Sequence, residues 1–390
     1  MSERMKMSSK RIGVLAICAG LMATPAAAAD YDASAQIDAY ATLVYTTYKA
    51  SYDEALKLRS AIDTLLADPT DANLKSAKAA WIASREPYGR TEAFRFYDGP
   101  IDFYDADSGE EGPEALLNSW PLNEAYIDYV EGNPESGIIF DPSIEITPVS
   151  LAEDNQMDDE ADVSTGYHAV EFLLWGQDMN ADGPGNRPVS DFAPGESDNE
   201  RRRAYLEAAT DLLIQNLSTL VDAWKPGADN YAAEFKAMDQ KEALQKMMTG
   251  MATLAEFELA SERMSVALDS GYQEDEHSCF SDNTHRDLIA NADSVRNVYF
   301  ADYGSYDGAG LNELVAEIDP ALNDKMVTQF QATDAAINAI PHPFDQVLVQ
   351  EKGSADRQKV ETAISALQAE AATIKEIGQR LGIDVIVVTE

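Results

Sequence analysis

The sequence predicts an all-α fold of two packed helical bundles. Apolar residues recur at three- and four-residue spacing over 33–67, 71–96, 198–224, 239–270, 284–300, 320–340 and 354–381. Strand-like alternation is nearly absent. Long helices with no sheet to lie against must bury their apolar faces on one another. Only "IDVIVV" near the C-terminus reads as extended, and it is too short and isolated to build a sheet.

Residues 1–29 read as a secretory signal peptide, with a cationic start (Lys6, Lys10, Arg11), the apolar run "IGVLAICAGLMAT" and the small residues "PAAAA" before Asp30. At about 13 residues the apolar run is too short to span roughly 30 Å of hydrocarbon, and no later stretch is long enough. The expectation is an exported, periplasmic protein, cleaved near Asp30 and without a transmembrane segment. An N-terminal bundle is expected over 30–230 and a C-terminal bundle over 231–390, dividing after "DAWKPGADN". Two bundles of similar length would suit an old duplication. Within the first, Pro87 should kink its helix near Glu86, because proline supplies no N–H to the preceding turn. Long irregular stretches are expected at 98–120, 132–165, 177–197 and 271–283, and long loops in compact domains usually carry function.

The 390-residue chain holds 69 acidic and 29 basic residues, a formal net charge of −40. A field of that sign repels nucleic acid and anionic lipid and concentrates cations. Once the leader is removed Cys279 is the sole cysteine, so no intramolecular disulfide is possible and stability must come from burial.

Against this background "GYHAVEF" stands out. The chain has four histidines, and here His168 and Glu171 lie three residues apart on one helix face, close enough to share an ion. Both are ligand types for zinc and iron. A buried hydrogen-bonded pair is the competing reading. The H-E-x-x-H peptidase pattern is absent, and the inverted form fails at Phe172. A second cluster, "EDEHSCFSDNTHRD", gathers His277, Cys279, Asp282 and His285; Thr284 and Asp287 within it read as a capping box for the next helix. "DMNADGPGN" begins like a calcium loop but has Val189 where a bidentate glutamate belongs. Met247, Met248 and Met251 read as core.

Together "GYHAVEFLLWGQDMNADGPGNRPVSDF" and "ERMSVALDSGYQEDEHSCFSDNTHRD" resemble the imelysin family, whose signature contains G-x-H-x-x-E, and more narrowly its iron-regulated protein A branch. Its relatives include an insulin-cleaving metalloproteinase. The resemblance implies two helical bundles with the motif near their interface, export, and a role in iron uptake. Its motif falls on Gly166, His168 and Glu171.

Beside it, the residues suggest further contacts. Glycine two positions before the histidine permits a close backbone approach. Glu92 is a candidate third ligand, placed with Arg85 on the kinked helix, and Arg85 can hold a carboxylate or an anionic chelator through its fork. Glu258 and Glu262 offer the same from the second bundle, or pair with Arg263. His277, Asp282 and His285 complete the candidate set. Three functions remain open: binding of a divalent metal, iron first and zinc second, as ion or iron chelate passed to a membrane-bound uptake component; a zinc metallopeptidase using H-x-x-E; and an interaction protein without metal.

Overall fold

In a computed structural model, residues 31–180 and 182–389 are described; the signal-peptide reading of 1–29 falls outside them. The protein is all-α. Eight long helices follow the predicted periodicities: α1 (Ser34–Ala67), α2 (Asp71–Gly89), α3 (Gly166–Trp175), α4 (Ser197–Trp224), α5 (Gln240–Thr253), α6 (Thr284–Phe300), α7 (Pro320–Asn338) and α8 (Ala355–Leu381). Among the described residues, strands occur only as two short hairpins, Tyr104–Asp105 with Glu110–Glu111 and Asp302–Tyr303 with Tyr306–Asp307. The C-terminal "IDVIVV" run joins neither and is pinned to α5 by the Val388 N–H on Thr253 Oγ1 (3.1 Å). No described helix is long and apolar enough to cross a membrane.

Local chemistry sets the helix ends. Thr70 accepts from the Asn73 N–H to open α2, Asp239 from Lys241 to open α5, and Ser354 from Arg357 to open α8. Asp319 caps α7 with Pro320 at its first position, where proline gives up no needed hydrogen bond. Gly382 ends α8 in the left-handed conformation.

Helix α1 packs on α2 and α4, and α3 lies against α2 and α4; α8 packs on α7, α5 and the helix that continues α5. Helix α6 touches α2 on one side and α7 on the other, and the buried apolar side chains of all these helices form one continuous cluster. Met247, Met248, Met251 and Cys279 are buried in it.

Two features depart from the sequence expectation. The helix over 71–96 stops at Gly89, and Glu92 sits in a separate 3₁₀ turn, Glu92–Phe94. Beyond α5 the chain stays helical but widens into a π-helix over Leu254–Val266 before closing as α-helix at Ala267–Ser270. Its i→i+5 bonds bring residues five apart onto one side: Ser265 Oγ donates to the Ala260 carbonyl at 2.8 Å, and Arg263 reaches Glu258 at 2.9 Å.

Glu370 on α8 is fully buried, and burial pushes its carboxyl up to about 8. The protonated form suits the fold, so this group favours folding fully below its ordinary value of about 4.5 and loses that contribution as pH rises through about 8. Glu370→Gln should match the parent near pH 4 and exceed it increasingly toward pH 9, the gap growing by at most about 1.4 kcal/mol per pH unit. Urea unfolding across pH checks this; a constant gap would refute it.

Candidate functional site

Every residue of α3 is buried, as its almost uniformly apolar sequence demands. Gly166 opens it with φ +80°, and a Cβ there would stand 2.5 Å from the Leu117 carbonyl oxygen, so glycine alone fits. Trp81 of α2 donates its indole N–H to the Tyr167 carbonyl (2.9 Å), fixing the first turn against α2.

One turn on, His168 Nδ1 lies 2.9 Å from Glu171 Oε2. The other Glu171 oxygen accepts from the Ser281 N–H (3.0 Å) and hydroxyl (2.6 Å). The second imidazole belongs to His277, whose ring stands edge-on to His168 with centroids 4.7 Å apart. Its Nδ1 lies 3.0 Å from Asp287 Oδ2. The two histidines are therefore oriented alike, each by a carboxylate on Nδ1, and each Nε2 is buried without a protein partner. A carboxylate on one ring nitrogen with the other nitrogen left bare is the usual arrangement of a metal-ligating histidine.

Asp287 also receives the Arg85 guanidinium, with Nε 3.3 Å from Oδ1 and Nη2 3.3 Å from Oδ2. Arg85 lies under the rings of Trp81, Tyr88 and Tyr167 and donates to Asn118 Oδ1 at 2.6 Å. Asn118 in turn donates to Glu92 Oε1 (3.3 Å), and Arg95 and Arg263 hold Glu92 Oε2 at 2.8 and 2.9 Å. Burial raises the Glu92 carboxyl, yet Arg263 and Arg95 prevail and hold it at about 2.

Burial, reinforced by His277 and Arg85, holds His168 well below the ordinary histidine range. Burial and Arg263 bring His277 down to about 4 against the pull of Asp287. Both rings are neutral at physiological pH. Burial pushes Glu171 upward, opposed by the Ser281 donors and Arg85.

His277 also lines a cavity of about 430 Å³ between the 114–121 segment and the π-helix. Glu114, Glu160, Glu258, Glu262 and Asp275 face Arg95 and Arg263 around it, an acidic surplus that favours cations.

The structure thus gathers His168, Glu171, His277 and Arg85, with Gly166 setting the helix start. Glu258 and Glu262 line the adjoining cavity; Glu258 is paired with Arg263. Three expectations are corrected. Glu92 is enclosed by two arginines and an amide because the helix ends before it, and its oxygens are engaged away from His168. His285 turns aside to stack on His342, with centroids 4.7 Å apart. Asp282 falls in a different carboxylate group, with Glu276 and Asp345. The expected capping box does not form: Asn283 precedes α6 without a side-chain cap, Thr284 Oγ1 accepts from the Ser278 N–H (3.1 Å), and Asp287 is drawn into the site.

Asp287, Asn118, Ser281 and Arg95 were not anticipated. A signal existed for the first: Asp287, Asn291 and Ser294 recur at helical spacing among Leu288, Val295 and Val298, marking a polar stripe on the buried face of α6.

Helical packing around a buried, carboxylate-oriented histidine pair defines an all-α protein of metal-binding type. The sequence pattern of the imelysin family matches residues 44–374, and the chain belongs to that family. It is 25% identical over 335 residues to iron-regulated protein A of Synechococcus elongatus, covering 83% of this chain and 80% of that protein. Its fold is similar to the crystal structure of a protein described as an iron-regulated protein A precursor from Parabacteroides distasonis, with a TM-score of 0.71 and 22% identity, over 90% of this chain and 96% of the other.

Asp287→Asn should remove the counter-charge of a fully buried arginine and release His277. The expected cost is about 3–5 kcal/mol in urea unfolding, against under about 1 kcal/mol for Asp275→Asn at the cavity edge. Equal costs would refute the central placing of Asp287.

Proposed function

We propose that this protein is exported to the periplasm and binds iron there for acquisition, with His168 and His277 as the nitrogen ligands. The observation that carries this reading is the pair of neutral imidazoles, each fixed by a carboxylate on Nδ1 and each with Nε2 bare, beside an acid-rich cavity. Such nitrogens suit borderline ions such as ferrous iron and zinc. The expectation that His168 and Glu171 both ligate one ion is revised: Glu171 orients the ring and is held by Ser281, so its role is support. The remaining positions fall to water, to a small chelator lodged in the cavity, or to Glu258 and Glu262 at its wall. Iron is cargo here, and what the chain supplies is a dry, preset pair of nitrogens behind an entrance that draws in cations.

The names of the relatives, iron-regulated proteins, support iron over zinc. Export is supported by the leader-like composition of 1–29 and by the relative described as a precursor. A membrane-bound uptake component remains the partner this reading calls for. The peptidase reading asks for a free general base, and the glutamate of the H-x-x-E motif is fully engaged.

Two results are expected. In calorimetry under anaerobic conditions with ferrous iron, His168→Ala and His277→Ala should each lose at least about tenfold in affinity while circular dichroism stays unchanged; parent-like affinity in both variants would place the iron elsewhere. Because protons compete with metal only near and below the low values of these rings, affinity should hold steady from pH 7 to about pH 5, where an ordinary histidine of pKa about 6.5 would already weaken it. A steady tenfold fall per pH unit below pH 6.5 would contradict the assignment.

A further inference from the structure

Behind the histidine pair, on the far part of the 271–283 loop, three carboxylates converge. Glu276 and Asp282 come from the loop and Asp345 from the start of the short helix Asp345–Leu348. One oxygen of each lies within 4.8 Å of the others. Two oxygens bound to one calcium ion at about 2.4 Å cannot be more than about 4.8 Å apart, so the three fit a single coordination sphere without rearrangement.

Burial makes this more than a patch of surface charge. Glu276 is 0% exposed and Asp345 4%. Neither oxygen of Glu276 has a hydrogen-bond partner, nor do Asp282 Oδ1 and Asp345 Oδ1. Among the described residues, no lysine or arginine forms an ion pair with any of the three, although arginines neutralise the carboxylates of the neighbouring site. Like charges so placed, away from water, repel one another unless protons or a cation intervene. Asp178 and Asp182, in the loop after α3, add to the repulsion at Asp345 and its neighbours.

We infer that Glu276, Asp282 and Asp345 form a calcium site, separate from the histidine pair and independent of the iron reading. Oxygen-only donors select hard cations. Between the common ones, calcium accepts carboxylates from irregular loops in variable geometry, whereas magnesium demands a near-ideal octahedron and keeps most of its water. The aborted calcium-loop pattern "DMNADGPGN" lies beside this site: Asp178 is held by the Asn180 N–H (2.9 Å) and by Gln273 Nε2, and it contributes field. Bound calcium would tie the loop carrying His277 and Ser281 to the 345–348 helix.

The test uses the mature full-length chain, stripped with chelator and titrated with calcium chloride while melting is followed. The melting point should rise by about 3 °C at calcium a hundredfold above its Kd. Glu276→Gln and Asp345→Asn should each weaken calcium binding at least tenfold in calorimetry, and both should melt at or above the parent without calcium, since each removes a repelling charge. His168→Ala should keep the full calcium response, which separates this site from the iron site. No response in the parent, an equal response to magnesium, undiminished affinity in Asp345→Asn, or a calcium-free Asp345→Asn that melts below the parent would each overturn the assignment.

Discussion

The carboxylate of Asp287 is the constraint on which the site depends. It is buried, it neutralises Arg85 in an aromatic enclosure, and it orients His277 against His168. A charge in that position is tolerable only with full pairing, and Arg85, His277, Ser278 and Asn283 all contribute to it. Its partners come from α2, from the 271–283 loop and from the start of α6. Folding these segments together and building the site are one event, because none of the groups has a satisfactory environment alone.

Charge is sorted sharply in this molecule. The chain as a whole is strongly acidic, yet its interior holds Arg85, Arg95 and Arg263, each placed against a carboxylate. The outcome is a nearly balanced core, neutral imidazoles and an acidic approach. A cation is thus drawn inward by the exterior and the cavity wall, then meets uncharged nitrogen at the end of its path. Glutamate on the His168 nitrogen and aspartate on the His277 nitrogen give the two rings the same polarity although they lie in unrelated segments.

The helices were legible because a 3.6-residue period sustained over twenty or more residues leaves little else for the chain to form. His168 and Glu171 were legible because one turn of helix is local geometry. What lay beyond local geometry was lost. Arg85 meets Asp287 across 202 residues and Glu171 meets Ser281 across 110, and spacing carries no trace of such pairings. Asp287 was misassigned for a related reason: three residues after Thr284 it satisfies a local capping rule, but the buried arginine is the stronger partner. Glu92 was misplaced because a helix was extended through Pro87 to residue 96, when the regular turns end at Gly89.

The widened helix over Leu254–Val266 bears on how this gene can change. Substitutions along it alter side chains one at a time, but a one-residue deletion would return the segment to α-helical register and swing everything after it by roughly 100°. Arg263 would leave Glu92, and the 271–283 loop would begin from a different side of the bundle. Length, more than composition, is therefore the quantity that inheritance must preserve in this stretch, and variation in the lineage should spare its residue count while roaming over its exposed letters.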